Sequence, residues 1–169
     1  MRVLALLLTL TLLADPVQAD TANDRTAAYL RIFIGQVDVG RDEADSQYGL
    51  EWQSAERWSR FELTPYVGLL RTRHASHMLY AGVQRRTAIR QDGLGPALLV
   101  GFAPGLYHHG GNSDTDLGFP LQFKSSVGID YEFPDSTRMG LHFSHISNAS
   151  LADDNPGTEL LTLKYGLNF

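Results

Sequence analysis

Three residues near the C-terminus have the types and spacing for ester chemistry: His145, Ser147 and Glu159. Attack on an acyl ester needs a nucleophilic hydroxyl, a base within hydrogen-bond reach and a group that orients the base. His145 and Ser147 are two residues apart, so in a strand their side chains share one face. Glu159 follows a polar segment, Asn148–Thr158, that contains the turn signal Pro156-Gly157. If Ser147 stands opposite Gly157 in an antiparallel hairpin, His145 stands opposite Glu159, within cross-strand reach. The same register sets Phe143 against Leu161, Leu141 against Leu163 and Met139 against Tyr165. A bulge in the connecting loop would shift this register by one. A histidine, a serine and a glutamate on otherwise apolar faces are odd for a soluble protein, but they suit an enzyme that attacks a lipid from the wall of a membrane barrel.

Spacing alone serves a second reading equally well, an interfacial polar pair at a strand end. H-x-S is a common tripeptide, and the chain holds another just upstream, His142-Phe143-Ser144. Its polar residues fall on the opposite face with Arg138 and Gly140, which reads as a hydrogen-bonded network in a polar lumen.

The elements that must position these residues follow from alternation. The hairpin has apolar faces (Met139, Leu141, Phe143; Leu161, Leu163, Tyr165, Leu167, Phe169) and polar ones (Arg138, Gly140, His142, Ser144; Thr162, Lys164, Gly166, Asn168). Phe119–Phe133 is the clearest two-faced strand, apolar at odd positions except for Ser125, with Gln122, Lys124, Ser126, Gly128, Asp130 and Glu132 on the other side. Further strands are expected over Ala27–Val39, Tyr48–Gln53 (which Ala55–Ser59 could extend), Arg60–Arg71, His77–Gln84 and Pro96–Tyr107. Pro65 interrupts the third of these and marks an edge, a bulge or a distortion. About eight strands without a helical period predict an all-β fold, an eight-stranded antiparallel transmembrane β-barrel of the outer-membrane type.

With both termini in the periplasm, the outer loops are Gly40–Gln47, Arg71–Ser76, His108–Gly118 and Asn148–Thr158. Most are longer than the turn at Pro134–Ser136, the asymmetry such barrels show. At roughly 3.4 Å per residue and about 40° of tilt, His145 climbs on the order of 20 Å from that turn, near the outer-leaflet interface. The rival architecture is a soluble barrel with its apolar face inward, which would have to bury Glu159. Trp52, Trp58, Tyr66 and Tyr107 serve as interfacial belt aromatics or as packing residues.

Composition agrees. The chain has 169 residues, no cysteine and a formal net charge of −5, which argues against a nucleic-acid partner. Its mean hydropathy of −0.17 is compatible with membrane strands, because lipid-facing and lumen-facing residues alternate. MRVLALLLTLTLLADPVQA reads as a secretory signal peptide, residues 1–19, with an apolar run too short to span a bilayer. Residues 20–169 are then one barrel domain.

His145-Ile146-Ser147-Asn148 followed by Glu159 resembles the lipid A 3-O-deacylase (PagL) family, small outer-membrane barrels with an H-x-S-N motif near the C-terminus. The terminal Phe169 agrees with that resemblance. It implies that Ser147 is the nucleophile, His145 the base, Glu159 the orienting acid and Asn155 the residue near the oxyanion. It further implies hydrolysis of the ester-linked 3-hydroxyacyl chain at the 3 position of lipid A, with lipopolysaccharide and the outer membrane as partners and no cofactor or metal. His108-His109 with His74 and His77 lack a spaced carboxylate or cysteine set, so ligation is not expected there. The competing functions are a non-enzymatic barrel with a structural or adhesion role and a soluble periplasmic lipid binder. Oligomeric state stays open, a homodimer included.

Overall fold

The computed structural model describes residues 27–40, 44–58, 60–111 and 114–169. The expected signal peptide lies outside them. Eight strands follow in chain order: β1 (Tyr29–Val37), β2 (Asp45–Gln53), β3 (Leu63–Thr72), β4 (His77–Ala88), β5 (Gly95–His108), β6 (Leu121–Glu132), β7 (Arg138–Ser147) and β8 (Thr158–Asn168). Each pairs antiparallel with its sequence neighbours, and β1 pairs with β8 to close the barrel. Closure satisfies the backbone of every strand and leaves no edge, the condition for a sheet to stand in hydrocarbon.

Period-two alternation decides what each side chain faces. Leu30, Ile32 and Ile34 of β1 point outward, and Ile34 is 64 % exposed; Arg31 between them points inward and is 1 % exposed. β6, β7 and β8 repeat the pattern, with Ile129, Leu141, Phe143 and Leu163 outside and Lys124, Asp130, His142 and Lys164 buried inside. A continuous apolar exterior around a charged interior is the inverse of a soluble lipid-binding barrel, and it removes that alternative.

The lumen is filled rather than open. Arg31 Nη2 donates to Asp130 Oδ2 (3.1 Å) and Gln53 Oε1 (2.9 Å), and Lys164 Nζ donates to Glu51 Oε2 (2.7 Å). Toward the end opposite the chain termini the interior turns apolar, with Val37, Leu70, Met78, Ile146 and Leu160 packing under Leu117 of the β5–β6 loop. The cavity left among them is about 20 Å³, room for roughly one water. A plugged eight-stranded barrel of this kind offers a substrate its outer wall and its rim.

Several boundaries differ from the sequence reading. β4 runs on to Ala88, and β2 begins at Asp45. Residues 55–58 do not extend β2; Trp58 instead forms an isolated bridge with Leu63. Pro65 lies inside β3 without breaking it. The β2–β3 ladder ends at Gln53↔Tyr66, so Pro65 sits just past it, where its missing N–H deprives no partner. The β2–β3 connection, 54–62, is as long as the loops at the other end, so the loop asymmetry is not uniform. Trp52 and Trp58 are exposed as belt residues would be, whereas Tyr66 is buried in the lumen.

Candidate active site

The β7–β8 register places His145 opposite Glu159, with Phe143↔Leu161, Leu141↔Leu163 and Met139↔Tyr165 below them. No bulge shifts it. The ladder ends at Ile146↔Thr158, so Ser147 and Gly157 flank the start of the loop. His145 Nδ1 lies 3.2 Å from Glu159 Oε1. That contact assigns the proton to Nδ1 and leaves Nε2 with its lone pair, the form in which an imidazole acts as a base. The two side chains are 38 % and 37 % exposed, half open on the lipid-facing wall.

Local chemistry fixes this geometry. Thr158, buried at the first position of β8, donates its hydroxyl to Asp38 Oδ1 (2.8 Å) and accepts from the Asp38 N–H (3.2 Å). Val39 N–H donates to Glu159 O (3.2 Å). With Thr158 pinned inward, alternation turns Glu159 outward. Gly157 adopts φ +62°, and a Cβ there would lie 2.9 Å from His145 Cε1. The imidazole therefore rests in a space that only glycine leaves open.

Ser147 is half-buried on the same face and pairs across β6 with Phe123. Among the described residues its hydroxyl makes no hydrogen bond to the ring. Asn148, fully buried, ties the loop together. Its Nδ2 donates to Leu117 O (3.2 Å) and Asp154 O (2.7 Å), its Oδ1 accepts from the Ser150 N–H (2.9 Å), and its own N–H donates to Asn155 Oδ1 (2.9 Å). Asn155 is thus held through its carbonyl oxygen, and its amide N–H groups remain as donors beside the residue that follows Ser147. Ala149 (φ 54°) and Ser150 (φ 63°) make the sharp turn that this bonding requires.

The upstream H-x-S is a lumen network. His142 Nε2 lies 2.7 Å from Asp130 Oδ1, both side chains are 1 % exposed, and Ser144 is equally buried.

Three contributors escaped the sequence reading. Ser125 stands directly opposite His145 on β6, and its only signal was being the polar break in an apolar face. Gly157 was visible as part of a turn and as the residue opposite Ser147, but not as the space the imidazole occupies, and Asn148 only as the last letter of the motif. Elsewhere on the same rim, the rings of His77 and His108 are 4.9 Å apart. His74 stands beside Asp45 and Asp114, which corrects the reading that these histidines lack carboxylate company. Asp45 opens β2 and Asp114 lies in the β5–β6 loop, segments that sequence spacing does not connect to His74.

The family model described as lipid A 3-O-deacylase (PagL) matches residues 38–168. Lipid A deacylase PagL of Bordetella bronchiseptica (strain ATCC BAA-588 / NCTC 13252 / RB50) is 26 % identical over 127 residues, covering 69 % of this chain and 68 % of that one. Among solved structures, the outer membrane enzyme PagL superposes with a TM-score of 0.65 at 21 % identity, over 83 % of this chain and 99 % of the other. Neisserial surface protein A superposes with 0.63 at 10 % identity, over 84 % and 97 %. Two proteins with such different names overlay almost equally well, so the fold argues for the barrel and the chemistry must be argued from the site.

Proposed function

Because the chain belongs to the lipid A 3-O-deacylase (PagL) family and folds as an outer-membrane barrel, we propose that it hydrolyses the ester-linked 3-hydroxyacyl chain at the 3 position of lipid A, as a serine esterase. The observation that supports this best is the His145–Glu159 pair, set on the lipid-facing wall beside Ser147.

Ser147 Oγ attacks the ester carbonyl as His145 Nε2 takes its proton. Glu159 holds Nδ1–H and stabilises the imidazolium that forms. The hydrogen bond between Nε2 and the Ser147 hydroxyl forms when substrate seats, since catalytic hydrogen bonds are often long or absent in the free enzyme. The oxyanion accepts a hydrogen bond from Asn155 Nδ2, which the Asn148 N–H orients through Oδ1. Collapse of the tetrahedral intermediate breaks the bond to the sugar oxygen, which leaves with the proton from His145. A water then attacks the acyl-enzyme, again losing its proton to His145, and the fatty acid departs as Ser147 is restored. The apolar residues Phe143, Leu141, Leu161 and Leu163 run down the wall below the site, a surface that an acyl chain in the outer leaflet can lie against.

Mass spectrometry of lipid A from cells expressing the wild type or Ser147→Ala tests this. Loss of one 3-hydroxyacyl group with the wild type alone is the expected result. No loss from purified lipid A mixed with folded wild type in detergent would overturn it in favour of a non-enzymatic barrel.

A further inference from the structure

At the rim opposite the termini, three segments converge. His74 of the β3–β4 turn meets Asp45, the first residue of β2, and Asp114 of the β5–β6 loop, and one ligand atom from each lies within 4.8 Å of the others. His74 Nδ1 is 3.0 Å from Asp45 Oδ2 and 3.7 Å from Asp114 Oδ1. Asp114 is the informative member. Its side chain is 3 % exposed. Its Oδ2 accepts from Thr72 Oγ1 (2.7 Å) and from the Ser76 N–H (3.2 Å). Its Oδ1 is buried, faces His74 and, among the described residues, has no hydrogen-bond donor. An anionic oxygen buried without a donor is costly, and a second carboxylate close by adds repulsion. A divalent cation answers both.

We propose that Asp45, His74 and Asp114 form a divalent-metal site, and that the metal is zinc. One imidazole nitrogen and two carboxylate oxygens are a zinc donor set, whereas calcium takes a larger shell of oxygens. In a tetrahedral site with bonds of about 2.0–2.2 Å, neighbouring donor atoms lie roughly 3.3–3.6 Å apart. The observed 3.0 and 3.7 Å bracket that spacing, and the third edge, between the two carboxylates, is within 4.8 Å. His74 is 40 % exposed, which leaves the fourth position to water.

The site clamps the mouth of the barrel. The loop that supplies Asp114 also supplies Thr115, whose hydroxyl donates to Asp38 Oδ2 (2.9 Å), and Leu117, whose carbonyl accepts from Asn148 Nδ2. The metal therefore braces, from across the rim, the loop that holds Asn148 and Asn155. It does not depend on the deacylase reading.

Folded full-length barrel in detergent, stripped with EDTA and desalted, is titrated with zinc chloride by isothermal calorimetry. One saturable site per chain is expected, weakened at least tenfold in His74→Ala and in Asp114→Asn, with zinc raising the thermal midpoint of the wild type but not of His74→Ala. Heat-modifiable gel migration reports folding. Should Asp114→Asn fail to fold, His74→Ala decides, because its ring is exposed at the rim, unlike the buried Asp114. Absence of saturable binding, binding undiminished in His74→Ala, or loss only in the His77→Ala/His108→Ala double variant would overturn the assignment. Saturation by calcium with no response to zinc would overturn it as well.

Discussion

His142 and His145 sit three residues apart on β7, and each has a ring nitrogen on a carboxylate and ring atoms close against a glycine. His142 meets Asp130 at 2.7 Å and would strike a Cβ at Gly128; His145 meets Glu159 at 3.2 Å and would strike one at Gly157. An odd separation in a strand sends them to opposite faces. The inner pair is sealed, and its carboxylate is shared with Arg31. The outer pair is half open, with Nε2 uncommitted. The same chemical groups thus give a structural ion-pair network in one place and a candidate acid–base site in the other. Access and compensation by neighbouring charge separate them.

The comparison breaks first at the proposed nucleophile. Ser147→Ala and His145→Ala are expected to lower hydrolysis of purified lipid A by on the order of 10³-fold or more, with the folded barrel retained on heat-modifiable gels. Activity persisting in Ser147→Ala but lost in Ser125→Ala would move the nucleophile across to β6.

Removing each carboxylate sharpens the contrast, because the two losses should fall on different measurements. Asp130→Ala leaves Arg31 buried without its counter-charge and should destabilise the barrel by about 3–5 kcal/mol in urea refolding titrations, with turnover per folded molecule unchanged. Glu159→Ala breaks a half-exposed pair and should cost no more than about 1 kcal/mol, but should slow turnover by on the order of 10²-fold or more.

The loop comes next. Asn155→Ala should lower kcat by on the order of 10²–10³, the cost of one oxyanion donor. Gly157→Ala strains a positive φ and pushes on the His145 ring, and a displacement of about 1 Å should cost up to 10²-fold in kcat with KM little changed in steady-state kinetics. The smallest effect belongs to Ser144→Ala. Its hydroxyl lies in the sealed lumen, so the same assay should register no loss.

Much of this was legible along the chain because it depends on local periods. Alternation in Phe119–Phe133 and in the terminal hairpin assigned Lys124, Asp130 and Lys164 to one side and Phe143 and Leu163 to the other. The β7–β8 register followed from one hairpin, where the chain itself holds the strands side by side, and it brought His145 to Glu159. The H-x-S-N spelling carried the resemblance to the family. The blurred points were those where local pattern competes with long-range pairing: the length of β4, the start of β2, and Pro65, whose effect depends on where the neighbouring ladder stops.

What the sequence determined by itself is therefore the side each residue faces and the partner it meets within a hairpin. Only the tertiary structure decided which residues meet across the barrel and between loops. It set Arg31 against Asp130, drew Asn148 to Leu117, and brought Asp45 and Asp114 to His74. Those contacts follow from barrel closure and from loop paths over the rim, and neither leaves a period in the chain.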